Sequence, residues 1–148
     1  DMEACVEYLA GRPDVRADQI FVVGYCMGGK IAYSAAAHLK DRIAGTAVYY
    51  GGRIVTDQTD ENWPVAPVQR TSDITRPLIG FFGGRDRAIP KEHVEQIEQA
   101  LSEAGVKHEI HFYPEAEHGF NCNDRSEFHP RAAQDAWCQT LRFFRSLQ

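Results

Sequence analysis

The stretch that decides the fold runs Ile20-Phe21-Val22-Val23-Gly24-Tyr25-Cys26-Met27-Gly28-Gly29. From Ile20 to Val23 it is uninterrupted apolar sequence, the pattern of a strand buried on both faces at the centre of a parallel sheet. From Gly28 to Leu39 the chain is rich in alanine, with Ile31, Ala35, Ala36 and Leu39 on one stripe, which predicts a helix able to pack closely on that sheet. The strand must therefore turn abruptly at Cys26. Such a turn forces its middle residue into a strained conformation, and side chains two positions away on either side would collide, which accounts for glycine at Gly24 and Gly28. The spacing G-x-nucleophile-x-G is that of a nucleophile elbow, here with cysteine. It sets the thiol at a helix N-terminus, where the dipole favours thiolate, and aims the backbone N–H of Met27 at a developing oxyanion. The plainer reading is a small buried cysteine in a Gly-rich turn.

Outward from the elbow, residues 2–10 place Met2, Cys5, Val6 and Leu9 at helical spacing before Gly11 and Pro13 break the pattern. Ile43 to Tyr50 and Leu78 to Phe82 read as two further buried strands. Between them, residues 51–76 carry Gly51-Gly52, Trp63, Pro64 and Pro67, an irregular loop expected to wall the pocket. Pro90 opens a helix with Val94, Ile97, Leu101 and Ala104 on its apolar face, and Gly105 stops it. From His108 to Tyr113 the chain alternates, Ile110 and Phe112 against Glu109, His111 and Tyr113, as in a half-covered strand. A last helix starts near Pro130, with Ala133, Trp137, Leu141 and Phe144 expected on its buried face. The order predicts an α/β fold with a mostly parallel sheet of about four strands flanked by helices and joined by right-handed crossovers.

Two later loops supply partners for the thiol. Asp86 follows the strand ending at Phe82, in Gly83-Gly84-Arg85-Asp86-Arg87, and His118 follows the strand ending at Tyr113, in Glu115-Ala116-Glu117-His118-Gly119-Phe120. Nucleophile, acid and histidine in that chain order, each at the carboxyl end of a strand, suit a triad in which His118 takes the thiol proton and Asp86 holds its tautomer. Asp57, Asp60, Asp73 and Asp124 fit less well, since none directly follows a strand. Taken singly, Asp86 also reads as a turn carboxylate paired with Arg85 or Arg87, and His118 as a surface histidine.

Composition narrows the function classes. A chain of 148 residues, 43% hydrophobic and 25% charged, fits a single domain spanning 1–148 with a sizeable core. Its net charge of -5 is spread along the chain, leaving no basic stripe for nucleic acid and no polybasic segment for a membrane surface. No apolar run approaches the roughly 20 residues that span a bilayer, and no signal peptide is visible, so the expected location is cytoplasmic. Cys5, Cys26, Cys122 and Cys138 form neither a CxxC pair nor a disulfide framework and read as free thiols. His108 and His111, three apart in a strand, point to opposite faces, so no metal site is expected, and no cofactor. Gly24 to Lys30 also spells G-x-x-x-x-G-K, the start of a phosphate-binding loop, but Ile31 stands where Ser or Thr must ligate Mg²⁺, and Tyr25 and Met27 crowd the loop.

Three separated blocks resemble the dienelactone hydrolase (carboxymethylenebutenolidase) family of α/β-hydrolases: residues 24–29, the acid loop at 83–86, and the stretch from His118-Gly119-Phe120 through Ala132-Ala133 and Ala136-Trp137 to Phe143-Phe144. The resemblance implies hydrolysis of an ester or lactone, with Cys26, Asp86 and His118 as nucleophile, acid and base and Met27 in the oxyanion hole. It also sets Val48-Tyr49-Tyr50-Gly51 beside the site, making Tyr50 a candidate substrate contact, or an aromatic packed at the strand end. The family's type enzyme, similar to this chain around the histidine, places a carboxylate-gripping arginine four residues after it. Cys122 stands there, and Arg125 is the nearby substitute. Complete relatives are expected to carry roughly 90 to 100 further residues before this segment, holding four more strands, a second oxyanion donor and a glutamate that helps activate the cysteine. The chain is therefore expected to be the C-terminal part of an α/β-hydrolase fold, and a non-catalytic, incomplete fragment is the alternative reading. A homodimer, or the N-terminal segment, is expected to cover the edge left open from Ile20 to Val23.

Overall fold

The computed structural model describes residues 2–61 and 63–148. Four parallel strands, β1 (Phe21–Tyr25), β2 (Gly45–Tyr49), β3 (Leu78–Gly83) and β4 (His108–Tyr113), lie side by side in chain order. Four helices accompany them: α1 (Met2–Ala10), α2 (Met27–Leu39), α3 (Lys91–Glu103) and α4 (Pro130–Arg145). β2 and β3 are buried along their whole length, as their apolar runs predict, and the core is centred on Tyr33, Tyr49, Ile79, Phe81, Leu101, Phe120 and Phe143. α4 reaches across the sheet: Phe144 stacks on Phe21 of β1, and the Thr140 hydroxyl meets that of Tyr49 on β2 at 2.7 Å. Among the described residues no helix is long and apolar enough to cross a membrane.

β1 carries the apolar run of a central strand yet lies at an open edge, the position expected for Ile20 to Val23. Among the described residues it pairs with β2 alone; Val22 and Gly24 are buried under α2 while Val23 and Tyr25 remain 38% and 39% exposed. Four apolar residues in a row describe a strand made for cover on both faces; here the face toward α2 is buried and the other is covered in part, by Phe144 over Phe21. β4 departs from its predicted pattern. Instead of alternating, all six of its residues are half-buried, because His111 stacks on Phe81, Tyr113 hydrogen-bonds Asp135 of α4, and Ile110 packs against the core from the other face.

Two helices present a different face from the one periodicity indicates. α4 buries Ala132, Ala133, Ala136, Thr140 and Phe143 and leaves Trp137 47% exposed. The stripe is rotated because Thr140, polar by type, is satisfied internally: its hydroxyl donates to the Ala136 carbonyl and accepts from Tyr49. In α1 only Val6 is buried; Cys5 and Leu9 face outward. The loop after β2 contains a 3₁₀ helix at Pro67–Asp73, and its tip folds back on α2, where the Lys30 ammonium sits 3.6 Å from the centre of the Trp63 ring.

The glycines of the elbow divide unexpectedly. A Cβ on Gly24 would lie 2.0 Å from the Gly28 carbonyl oxygen and 2.8 Å from the Ala32 Cβ, so α2 can approach β1 only over glycine. A Cβ on Gly28 would meet nothing within 4 Å; the crowded second position is Gly29, against the Tyr49 carbonyl oxygen at 2.7 Å and Gly51 at 2.8 Å. The steric demand is therefore for close packing of helix on strand, rather than symmetric about Cys26.

Candidate active site

Cys26 caps the N-terminus of α2 with φ 55° and ψ −118°, a conformation that a non-glycine residue holds only when its surroundings impose it. Its N–H donates to the Tyr49 carbonyl at 3.0 Å, while its own carbonyl accepts from Gly29 and Lys30 in the first turn of α2. The same anchoring recurs along the carboxyl edge of the sheet: Tyr50 N–H donates to the Phe81 carbonyl and Gly84 N–H to that of Tyr113, both at 2.8 Å. The residue after each of β1, β2 and β3 thus hands its N–H to the neighbouring strand, and the loops carrying Cys26, Tyr50 and Asp86 leave the sheet from fixed points.

From those points three side chains converge. His118 Nε2 is 3.0 Å from Cys26 Sγ, and His118 Nδ1 donates to Asp86 Oδ2 at 2.7 Å. The Asp86 side chain is fully buried, and its second oxygen accepts the backbone N–H groups of Ala88 at 2.8 Å and Ile89 at 3.2 Å. These two donors are a signal the sequence carries, an Asp opening a turn just before the helix-starting Pro90, that only the structure makes legible. Arg85, the candidate ion-pair partner of Asp86, turns away to Glu115.

The electrostatics follow from this chain of contacts. The hydrogen bond to Asp86 raises the His118 pKa from 6.5 to about 9, against the opposing effect of partial burial. Partial burial pushes the Cys26 thiol up, but the His118 hydrogen bond and charge, the Met27 N–H and the Arg125 charge outweigh it and hold the thiol below its ordinary value. Both shifts run in the direction that favours a thiolate facing an imidazolium over the neutral pair.

Around the pair, Tyr50 is 3% exposed, adopts φ 36°, and sets its ring edge-to-face with His118 at 5.3 Å and Phe120 at 5.1 Å. Burial raises the Tyr50 phenol to about 12. Arg125 is solvent-exposed beside Gly119, close enough for its charge to act on both Cys26 and Tyr50. Met27 is 71% exposed, so the sulfur is walled by His118 and Tyr50 on one side and open on the other. Tyr25, not proposed from the sequence as a site residue, sets its ring tilted against Tyr49 at 4.6 Å and stands, 39% exposed, next to Cys26 in the chain. Asp73 is taken up by Arg70 and Lys40, and among the described residues no three His, Cys, Asp or Glu side chains converge to hold a metal ion.

Residues 1–148 match the sequence pattern of the dienelactone hydrolase family. The chain belongs to that family. A Salmonella typhimurium protein named "Putative carboxymethylenebutenolidase" is 39% identical over 135 residues, covering 91% of this chain and 49% of its own length. A Synechocystis protein of the same name is 36% identical, over 99% of this chain and 58% of its own. The chain therefore spans about half the length of these relatives. The crystal structure of a Klebsiella pneumoniae protein described as a "Putative Dienelactone Hydrolase" superposes with a TM-score of 0.90 at 33% identity, over 97% of this chain and 58% of that one. An α/β-hydrolase enzyme from a deep-sea metagenome library, 21% identical with a TM-score of 0.76, shares the fold.

Proposed function

We propose that this member of the dienelactone hydrolase family hydrolyses a carboxylic ester or lactone with Cys26 as nucleophile, His118 as proton carrier and Asp86 as the group that orients and charges the histidine. The observation that carries the reading is the continuous hydrogen-bonded chain Cys26–His118–Asp86, at 3.0 and 2.7 Å, on the strained turn at the end of β1. The Cys26 thiolate attacks the carbonyl carbon, and the oxyanion that forms accepts the Met27 N–H. When the carbon–oxygen bond to the leaving group breaks, His118 gives its proton to that oxygen, leaving a thioester on Cys26. A water molecule then attacks the thioester, His118 takes its proton, and the carbon–sulfur bond breaks to release the acid and restore the thiolate–imidazolium pair. Water is the only co-reactant. Tyr50 supports the His118 ring from behind and borders the pocket, and Arg125 is the group placed to face a negatively charged acyl portion.

The second reading, an incomplete hydrolase, is favoured by one observation: the site is open beside Met27, where one backbone N–H serves the oxyanion and lack of a second donor costs about 10²–10³ in rate. p-Nitrophenyl acetate hydrolysis separates the two. The proposal expects Cys26→Ala to lower the rate of this chain by about 10²-fold or more. Equal rates for the chain and Cys26→Ala, with activity appearing only in a version extended at the N-terminus and lost there on Cys26→Ala, assign the reaction to the longer protein. Activity indifferent to Cys26 in both versions overturns the mechanism.

A further inference from the structure

We propose that Cys26 is also a site of reversible oxidation, in which a hydroperoxide converts its sulfur to a sulfenic acid and Cys122, on the turn that follows His118, closes an intramolecular Cys26–Cys122 disulfide; this rests on the reading of Cys26 as the reactive sulfur of the site. The bridged chain has no free nucleophile, so the event that protects Cys26 from further oxidation also switches hydrolysis off.

Cys26 has the surroundings that make a sulfur reactive toward peroxides. It is exposed next to the equally exposed Met27, and its Sγ lies 3.0 Å from His118 Nε2. The His118 hydrogen bond, the Met27 N–H and the Arg125 charge all favour the thiolate, the species that attacks an O–O bond. A hydroperoxide is small and uncharged, so it reaches the sulfur from the open side without a fitted pocket.

Cys122 is the thiol placed to answer it. Residues 114–129, between β4 and α4, form neither helix nor strand, and the buried Phe120 pins this loop beside the site through ring contacts with Tyr50 at 5.1 Å and Tyr113 at 5.4 Å. Directly after His118 the chain folds back on itself. Cys122 N–H donates to the Gly119 carbonyl at 2.8 Å, and the Cys122 carbonyl accepts the Arg125 N–H at 3.1 Å. The half-buried Cys122 is thereby held one turn from the histidine that touches Cys26. The two sulfurs also share a neighbour, because negative charge on either one opposes ionisation of the Tyr50 phenol. Cys5 and Cys138 stand instead on α1 and α4, exposed. Cys26 is fixed by the elbow, so the turn supplies the movement that brings the two Cα atoms within the roughly 7 Å a disulfide requires. Both of its backbone hydrogen bonds are internal to residues 119–125 and travel with it.

One hydroperoxide balances the chemistry. The Cys26 thiolate attacks the terminal peroxide oxygen, so that a sulfur–oxygen bond forms and the oxygen–oxygen bond breaks. The departing alkoxide, or hydroxide in the case of hydrogen peroxide, takes the proton of the His118 imidazolium. The Cys122 sulfur then attacks the sulfenic sulfur, its proton passing to the now neutral His118. The sulfur–sulfur bond forms, the sulfur–oxygen bond breaks, and the hydroxide that leaves takes that proton and departs as water. Together the two sulfurs lose two electrons, which reduce the hydroperoxide to an alcohol and water.

The test treats the chain carrying Cys5→Ser and Cys138→Ser with hydrogen peroxide and follows its mass, its tryptic peptides and its hydrolysis of p-nitrophenyl acetate. The expected product is a monomer lighter by two hydrogens, with the tryptic peptides 17–30 and 108–125 joined. Cys26-dependent hydrolysis should fall by about tenfold or more as the bridge forms, and dithiothreitol should restore it. The unaltered chain, mapped in parallel, should show the same joined peptides. With Cys122→Ser added, Cys26 should instead pass to the sulfinic acid, two oxygens heavier and not restored by dithiothreitol. Three results overturn the proposal: Cys26 left unmodified, a Cys26-to-Cys26 dimer, or sulfinic acid formed equally fast with and without Cys122. Because the bridge is read by mass, it stands or falls apart from turnover. A bridge in a chain whose hydrolysis is indifferent to Cys26 supports the oxidation site and overturns the hydrolytic reading alone, whereas Cys26-dependent hydrolysis without a bridge overturns the oxidation site alone.

Discussion

The two walls of the site are built to different degrees of completeness. On the histidine side, the Asp86 carboxylate is fully buried, takes two backbone N–H groups and the His118 ring, and sits behind an aromatic layer of Tyr50 and Phe120. On the nucleophile side, Cys26 and Met27 are exposed at the end of a strand with no outer neighbour. Both walls hold their polar groups at hydrogen-bonding distance, so what separates them is support from the surrounding core. The acid–histidine half is braced within these residues, whereas the thiol is aimed correctly by backbone strain and by one close helix contact.

That contrast can be broken at its strong wall first. Asp86→Ala removes a buried charge together with the acceptor of three N–H groups, and should cost about 3–5 kcal/mol of stability, a drop in Tm of about 10–15 °C by calorimetry. The milder Asp86→Asn, which keeps the shape, should lower p-nitrophenyl acetate turnover by about 10²–10⁴-fold. At the weak wall, Gly24→Ala drives a methyl group into the Gly28 backbone and should cost about 2–3 kcal/mol and most of the activity as α2 is pushed off β1.

A smaller effect is the pH dependence of stability. The His118 pKa is raised from 6.5 to about 9, so the stability gained from its protonation is complete below pH 6.5 and lost as pH rises through about 9. The lowered Cys26 thiol works in the opposite direction. In a Cys26→Ala background Tm should therefore fall from pH 6.5 to 9, and adding Asp86→Asn should flatten that slope. The smallest expected effect is Gly28→Ala, which has open space for its methyl group and should change stability by less than about 0.5 kcal/mol. A large loss there would restore the symmetric steric picture of the elbow.

Much of this was legible from residue order. The strands and helices fall where periodicity and turn residues predict, because apolar runs bounded by Gly and Pro are local signals. The meeting of Cys26, Asp86 and His118 was legible because each follows a strand end, and parallel strands bring their carboxyl ends together. What eluded the sequence depended on partners outside the local window. Thr140 reads as polar and is buried because Tyr49, 91 residues away, meets its hydroxyl. Val23 reads as core and is exposed because burial on its outer face requires a neighbour that β1 does not have. Lys30, a charged side chain, is only 8% exposed because Trp63, 33 residues on, folds over it. The crowding falls on Gly29 rather than Gly28 because it comes from Tyr49 at the end of β2 and Gly51 just after it.

The anchoring of each strand end to its neighbour, Cys26 to Tyr49, Tyr50 to Phe81 and Gly84 to Tyr113, bears on how such a protein can change over generations. The reacting groups are referenced to the sheet at those three bonds, and the chain from Arg53 to Ala66 begins only after the second of them. Insertions and replacements there can reshape what approaches the thiol without altering the 3.0 Å and 2.7 Å spacings among Cys26, His118 and Asp86. The candidate site and the loop beside it lie on separate stretches of polypeptide, so one can vary while the other is kept.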